Sequence, residues 1–185
     1  FRDIRDNFSA DMWKEMGYAS RPAVFTETET PITILILVLI GAMVAIKNNF
    51  KALMVAHAFI IIGFVVAGLS TYYFTQHLLD PFWWMMLVGL GLYLVYIPFN
   101  SIFFDRLIAA FSMKGNVGFF IYVADSVGYV GSVSVMLVKE GMTLKIQWTS
   151  FFSQSVILLS FVGVFITAYS AYYFFSKSKT TPLMQ

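Results

Sequence analysis

The stretch that decides the fold is GNVGFFIYVADSVGYVGSVSVMLV, residues 115–138. It is long enough to cross a bilayer as a helix. It holds one acidic or basic side chain, Asp125, near its middle. An ionised carboxylate at the bilayer centre costs about 2.5–3.5 kcal/mol on insertion scales, so Asp125 must face protein or water rather than lipid. At helical spacing Gly118, Tyr122, Gly128, Tyr129 and Ser132 share its face, while Phe119, Val123, Val127, Val130 and Leu137 point elsewhere. The stretch therefore reads as a helix with a small, polar stripe for its neighbours and an apolar side for lipid.

The rest of the chain repeats the pattern. Of its 185 residues 59% are hydrophobic and 12% charged, about half the charge of a soluble domain, which carries about 25%. Four further stretches are long and charge-poor: 31–46, 52–75, 82–104 and 150–175. The expected fold is all-α, a polytopic membrane bundle of five helices over residues 31–176. A polar segment, 1–30, leads it, and a tail, 177–185, closes it. Within the leading segment Ile4, Phe8, Met12 and Met16 recur every fourth position and mark one helical face. Gly17, Ser20 and Pro22 break that helix. Two roles fit it, the outer end of a truncated membrane helix or a helix lying in the interface. Pro31 suits a helix start, with Thr30 as cap and Glu27 and Glu29 at the positive end of the dipole.

Several function classes drop out. A net charge of +2 with scattered basic residues gives no nucleic-acid surface. The absence of cysteine removes thiolate chemistry and disulfides. No metal-ligand cluster and no Ser/His/Asp set is visible, so neither an enzyme nor a cofactor is expected. Short connections make consecutive helices antiparallel neighbours. Lys47, Lys51, Arg106, Lys114, Lys177 and Lys179 then collect on one side, against Lys139 and Lys145 on the other. That asymmetry places the tail in the cytoplasm, although Arg2, Arg5, Lys14 and Arg21 even the count when the leading segment is included. Trp83, Trp84, Tyr72, Tyr73 and Trp148 form an expected outer aromatic belt, and Tyr172 and Tyr173 an inner one.

Asp125 is either a proton relay or substrate contact, or a carboxyl that glues helices together. Ala124, Gly128 and Ser132 form a small-residue series that favours close packing. On the 82–104 stretch Tyr93, Tyr96 and Asn100 share a face. Pro98 there should kink the helix and free the carbonyl of Leu94. Tyr122, Tyr129, Tyr96 and Asn100 join Asp125 as candidates for a solute or proton pathway. Asp105, Arg106, Pro98, Gly128 and Ser132 are candidates for gating or packing. His57 reads as a core histidine that bonds within the bundle, or as a group titrating near neutrality.

The runs GLGLYLVYIPFNSIFFDRLIAAF (89–111) and GNVGFFIYVADSVGYVGSV (115–133) resemble the C-terminal half of a bacterial family of major-facilitator-like membrane proteins of uncharacterised function. RDIRDNFSADMWKEMGY (2–18) is similar to the end of that family's seventh helix. The resemblance implies that the five stretches are helices eight to twelve of a twelve-helix transporter-like fold in the bacterial inner membrane, with an N-terminal half preceding them. In GAMVAIKNNFK (41–51) the superfamily's basic loop pattern keeps Gly41 and the lysines but has Ala45 at its Asp position. A secondary transporter for a small solute, with Asp125 available for proton coupling, is the leading expectation. A transporter-like scaffold or sensor that binds a ligand or partner without moving it is the alternative. The expected partners are the bilayer, the other half of the protein and the solute.

Overall fold

The computed structural model describes residues 2–141 and 147–180. Lys145, half of the basic pair expected on the outer side, and residues 181–185 of the tail lie outside the described residues. The described chain is helical: α1 (Arg2–Glu15), α2 (Ala23–Val44), α3 (Asn49–Thr75), α4 (Pro81–Pro98), a π-helical turn (Phe99–Phe103), α5 (Phe104–Phe111), α6 (Val117–Gly141) and α7 (Trp148–Thr180). Among the described residues no strand occurs. Five stretches are long and apolar enough to cross a bilayer, and α4, the π turn and α5 together make one of them, Pro81–Phe111. In hydrocarbon each backbone N–H and C=O must bond within its own helix, and that condition selects this architecture.

Side chains sharpen the helix ends. Asn48 accepts from Lys51 N at 2.8 Å and starts α3, and Asp80 accepts from Phe82 N at 2.8 Å and starts α4 with Pro81 in its first turn. Ser112, in the left-handed region at φ 49°, ends α5. At α2 the reading from Thr30 and Pro31 fails. The helix begins at Ala23, and Pro31 sits inside it. Proline there removes the bond its N–H would give to the carbonyl four residues back, Glu27, and crowds that carbonyl, at an exposed position. Thr28 instead turns its hydroxyl back to the Val24 carbonyl, 2.8 Å away.

The hub is α3, packed along α4 and α7 and touching α2 and α5. The approach to α4 is close because Gly63 and Gly91 face each other there. Wedged against α4 and α7 is α1, through Ile4, Phe8, Met12 and Trp13, all buried. Phe8 stacks on Trp148 with ring centres 4.0 Å apart, and Phe74 stacks on Trp84 at 3.9 Å. Two of the expected belt residues are therefore core. Trp84 is fully buried, with its indole N–H on Thr71 Oγ1 at 3.0 Å, and Trp148 is buried too. Adjacent helical positions point about 100° apart, so of Trp83 and Trp84 only Trp83 can face outward. The outlier is α6. Only 6% of its most apolar window is buried, against 44% for α3, and its contacts are mainly with α5.

Candidate functional site

Three helices, α1, α2 and α6, bring charged side chains into the apolar layer, and α1 brings most of them. Arg5 is 1% exposed, because it stands three and seven residues before Phe8 and Met12 on the face α1 buries. Its Nη2 donates to Glu29 Oε1 at 2.6 Å and to the Met85 carbonyl at 3.0 Å, and its Nη1 lies 3.6 Å from Asp6. Gly89 makes the room, since a Cβ there would lie 2.5 Å from Nη2. One turn earlier, the Arg2 guanidinium sits 4.3 Å above the ring centre of Tyr96 and pairs with Asp3 and, at 3.9 Å, with Asp6. Tyr96 is fifteen residues beyond Pro81, about 22 Å along the helix at 1.5 Å per residue. Tyr96, and Arg2 with it, therefore stands at the middle of the Pro81–Phe111 span, fifteen residues from either end.

Opposite Arg2, on α6, is Asp125. It is half-buried, and its Oδ1 accepts from Asn100 Nδ2 at 2.9 Å across the gap to the π turn. The two groups meet because Pro98 ends α4 and the wider π turn that follows, Phe99–Phe103, carries Asn100. The expected proline disruption is thus taken up as a π-helical turn within a continuous span.

A cavity of about 380 Å³ opens between these groups, lined among others by Arg2, Asp3, Phe64, Tyr96, Phe99, Asn100, Ala124, Asp125, Gly128 and Tyr129. Four of the five pathway candidates, Asp125, Tyr129, Tyr96 and Asn100, thus share one space. Tyr122 does not, being 75% exposed and outside the lining. Gly128 has nothing within 4 Å of a Cβ built on it, so at this point the small-residue series borders open space. Ser132, buried, donates to the Gly128 carbonyl at 3.1 Å and lines a neighbouring recess of about 320 Å³ with Arg2, Asp3, Asp6, Asn7 and Tyr129. Asp105 is exposed at the far end of the span, and Arg106 clamps the start of α3, donating to Asn49 Oδ1 at 2.8 Å.

A second cavity, about 360 Å³ and mostly apolar, lies between α3 and α7 and shares Phe64, Val95, Phe99 and Leu159 with the first. His57 borders it. Its Nδ1 is 2.8 Å from the Leu53 carbonyl and its Nε2 3.0 Å from Ser170 Oγ. A carbonyl only accepts, so Nδ1 carries the hydrogen, and in the neutral ring Nε2 accepts from Ser170. At the opposite end of α1, Glu15 accepts from Trp148 N, Thr149 N and Thr149 Oγ1 at 2.7–2.8 Å, capping α7. Burial pushes this carboxyl up, but the three bonds to its charged form outweigh that and hold it below its ordinary value. Among the described residues no three His, Cys, Asp or Glu side chains come together to hold a metal ion.

Sequence reasoning missed Arg2, Asp3, Arg5 and Asp6 as members of the site because it assigned the leading segment to the polar outside. The available signal was the register of Arg5 with Phe8 and Met12. Residues 1–177 match a family described as a family of unknown function (DUF5690), and the chain belongs to that family. No curated protein and no solved structure matches the chain.

Proposed function

Within a family to which no function is assigned, we propose that this protein is a secondary transporter for a small solute, with the Asp125 cavity as one wall of the solute path. The observation that carries the reading is the convergence of Asp125, Asn100, Tyr96, Tyr129 and the Arg2–Asp3 pair on one cavity at membrane depth. Polar and charged groups inside the apolar layer are costly, and their common use is a substrate or proton pathway. Asp125 is the group for proton coupling, since it is the only Asp, Glu, His, Lys or Arg in the apolar window of α6. The architecture we favour is that of a facilitator's C-terminal half, in a bacterial inner membrane with the C-terminus in the cytoplasm. In that arrangement the exposed face of α6 lies toward the other half.

The test is proton movement in vesicles. The full-length protein is reconstituted with a pH-sensitive dye inside, and small solutes are added outside. The expected result is a solute-dependent pH change that Asp125→Asn abolishes while helix content and elution volume stay the same. The reading fails if the change persists in Asp125→Asn or if no solute moves. Saturable binding without movement would assign the protein to ligand sensing instead.

A further inference from the structure

The cavity carries a charge imbalance that selects among ligands. Three acidic or basic side chains face it: Arg2, Asp3 and Asp125. Arg2 and Asp3 pair with each other and cancel. The recess beside it adds Asp6, which also leans on Arg2, 3.9 Å away. Arg5 is turned away to Glu29 and the Met85 carbonyl. Asp125 has only the neutral Asn100 amide, on Oδ1, and among the described residues nothing donates to its Oδ2. One carboxylate is thus left without a counter-charge, with an oxygen still able to accept. An anion entering here would have to displace Asp3 from Arg2 and then sit beside Asp125.

The remaining walls are aromatic. Phe64, Tyr96, Phe99 and Tyr129 border the space, and aromatic faces attract cations within about 6 Å of the ring centre. Tyr96 already accepts a planar cation on its face, the Arg2 guanidinium at 4.3 Å. The volume, about 380 Å³, is at the low end of the roughly 300–1,000 Å³ typical of small-molecule sites.

We infer that this cavity binds a small monovalent organic cation, an amine or guanidinium on an apolar, preferably aromatic, body. Its N–H groups bond Asp125 Oδ2, and its body lies against Tyr129 and Phe99. The inference names the substrate class of the transport reading above, but binding can be tested without transport. The probes are phenethylamine, its uncharged isostere 2-phenylethanol and the anion 3-phenylpropionate, titrated calorimetrically into the full-length protein in nonionic detergent at neutral pH. The amine is expected to bind saturably, and the alcohol and the carboxylate at least ten-fold more weakly. Asp125→Asn should weaken the amine at least ten-fold, and Asp125→Glu, which restores the charge, should recover part of that. The probe series on the unaltered protein decides the matter even if a variant fails to fold. The inference is overturned if the carboxylate or the alcohol binds as tightly as the amine, if none of the three binds, or if Asp125→Asn binds the amine within two-fold of the parent. Vesicle uptake separates the two readings. Amine binding with no uptake removes transport and leaves the cation site, whereas uptake of the carboxylate alone leaves transport and removes the cation site.

Discussion

Gly91→Ala tests whether α3 and α4 are as close as described, and with them two walls of the cavity. A Cβ at position 91 would lie 2.6 Å from the Gly63 carbonyl oxygen, 2.8 Å from Ala67 N and 2.9 Å from Ala67 Cβ. Ordinary contact begins at 3.4 Å, so the helices must part by about 0.8 Å. The obstacles include backbone atoms of α3, which cannot swing aside as a long side chain would. Overpacking of this kind costs about 1–3 kcal/mol. Alanine also gains roughly 1 kcal/mol over glycine in a helix interior. Gly41→Ala, where nothing lies within 4 Å of the new Cβ, carries the second effect without the first. The difference in unfolding free energy between the two variants in one detergent therefore isolates the overpacking, and Gly91→Ala should be the less stable by about 2 kcal/mol. The reciprocal change, Gly63→Ala, strikes the Gly91 carbonyl at the same 2.6 Å. The double variant should thus cost less than the sum of the singles, because one parting of the helices relieves both clashes. Equal stabilities for Gly91→Ala and Gly41→Ala would refute the close approach.

Two further outcomes are expected. Glu15 is held below its ordinary value, so its contribution is present above that value and disappears as pH falls through the lower folded one. Protection of the Trp148 and Thr149 amides from exchange, taken relative to the intrinsic rate at each pH, should therefore fall on acidification below the usual carboxyl range, and Glu15→Gln should flatten that dependence; an unchanged acid profile in Glu15→Gln would count against the cap. At His57, Ser170→Ala leaves Nε2 without its donor and should cost about 1 kcal/mol. His57→Leu with Ser170→Ala should cost less than the two separately, and strict additivity in thermal unfolding would mean that the two side chains do not interact.

The five spans were legible because apolar length is a property of consecutive residues, and the bilayer imposes it without reference to neighbours. The ends were less so. Thr30 and Pro31 carry every mark of a helix start, yet α2 starts at Ala23, since one missing N–H at an exposed position does not stop a helix. The aromatic belt was half legible: Trp83, Tyr72 and Tyr73 are exposed, while Trp84 and Trp148 are buried by contacts with Phe74 and Phe8 that spacing alone does not reveal. Asp125 and Asn100 could each be singled out within their spans. Their bond depends on the register of α6 against the π turn. The charged turn of α1 was hidden for a different reason: RDIRD looks like a surface run until its depth is known, and depth comes only from the packing of α1 on α4.

The π-helical turn at Phe99–Phe103 sets an angle as well as a bond. A π turn holds one residue more than an α turn, and each residue advances an α-helix by about 100°. Above it, Tyr96 must look toward Arg2. Below it, Arg106 must look toward Asn49. The extra residue is the phase shifter that lets one rod satisfy both bearings. Deleting a single residue between 99 and 103 would rewind the rod to a regular helix and swing its lower part by about 100°. Arg106 and the α5 surface that meets α6 would then turn away from their partners together. The span behaves as a keyed shaft whose two ends are indexed to different parts of the bundle.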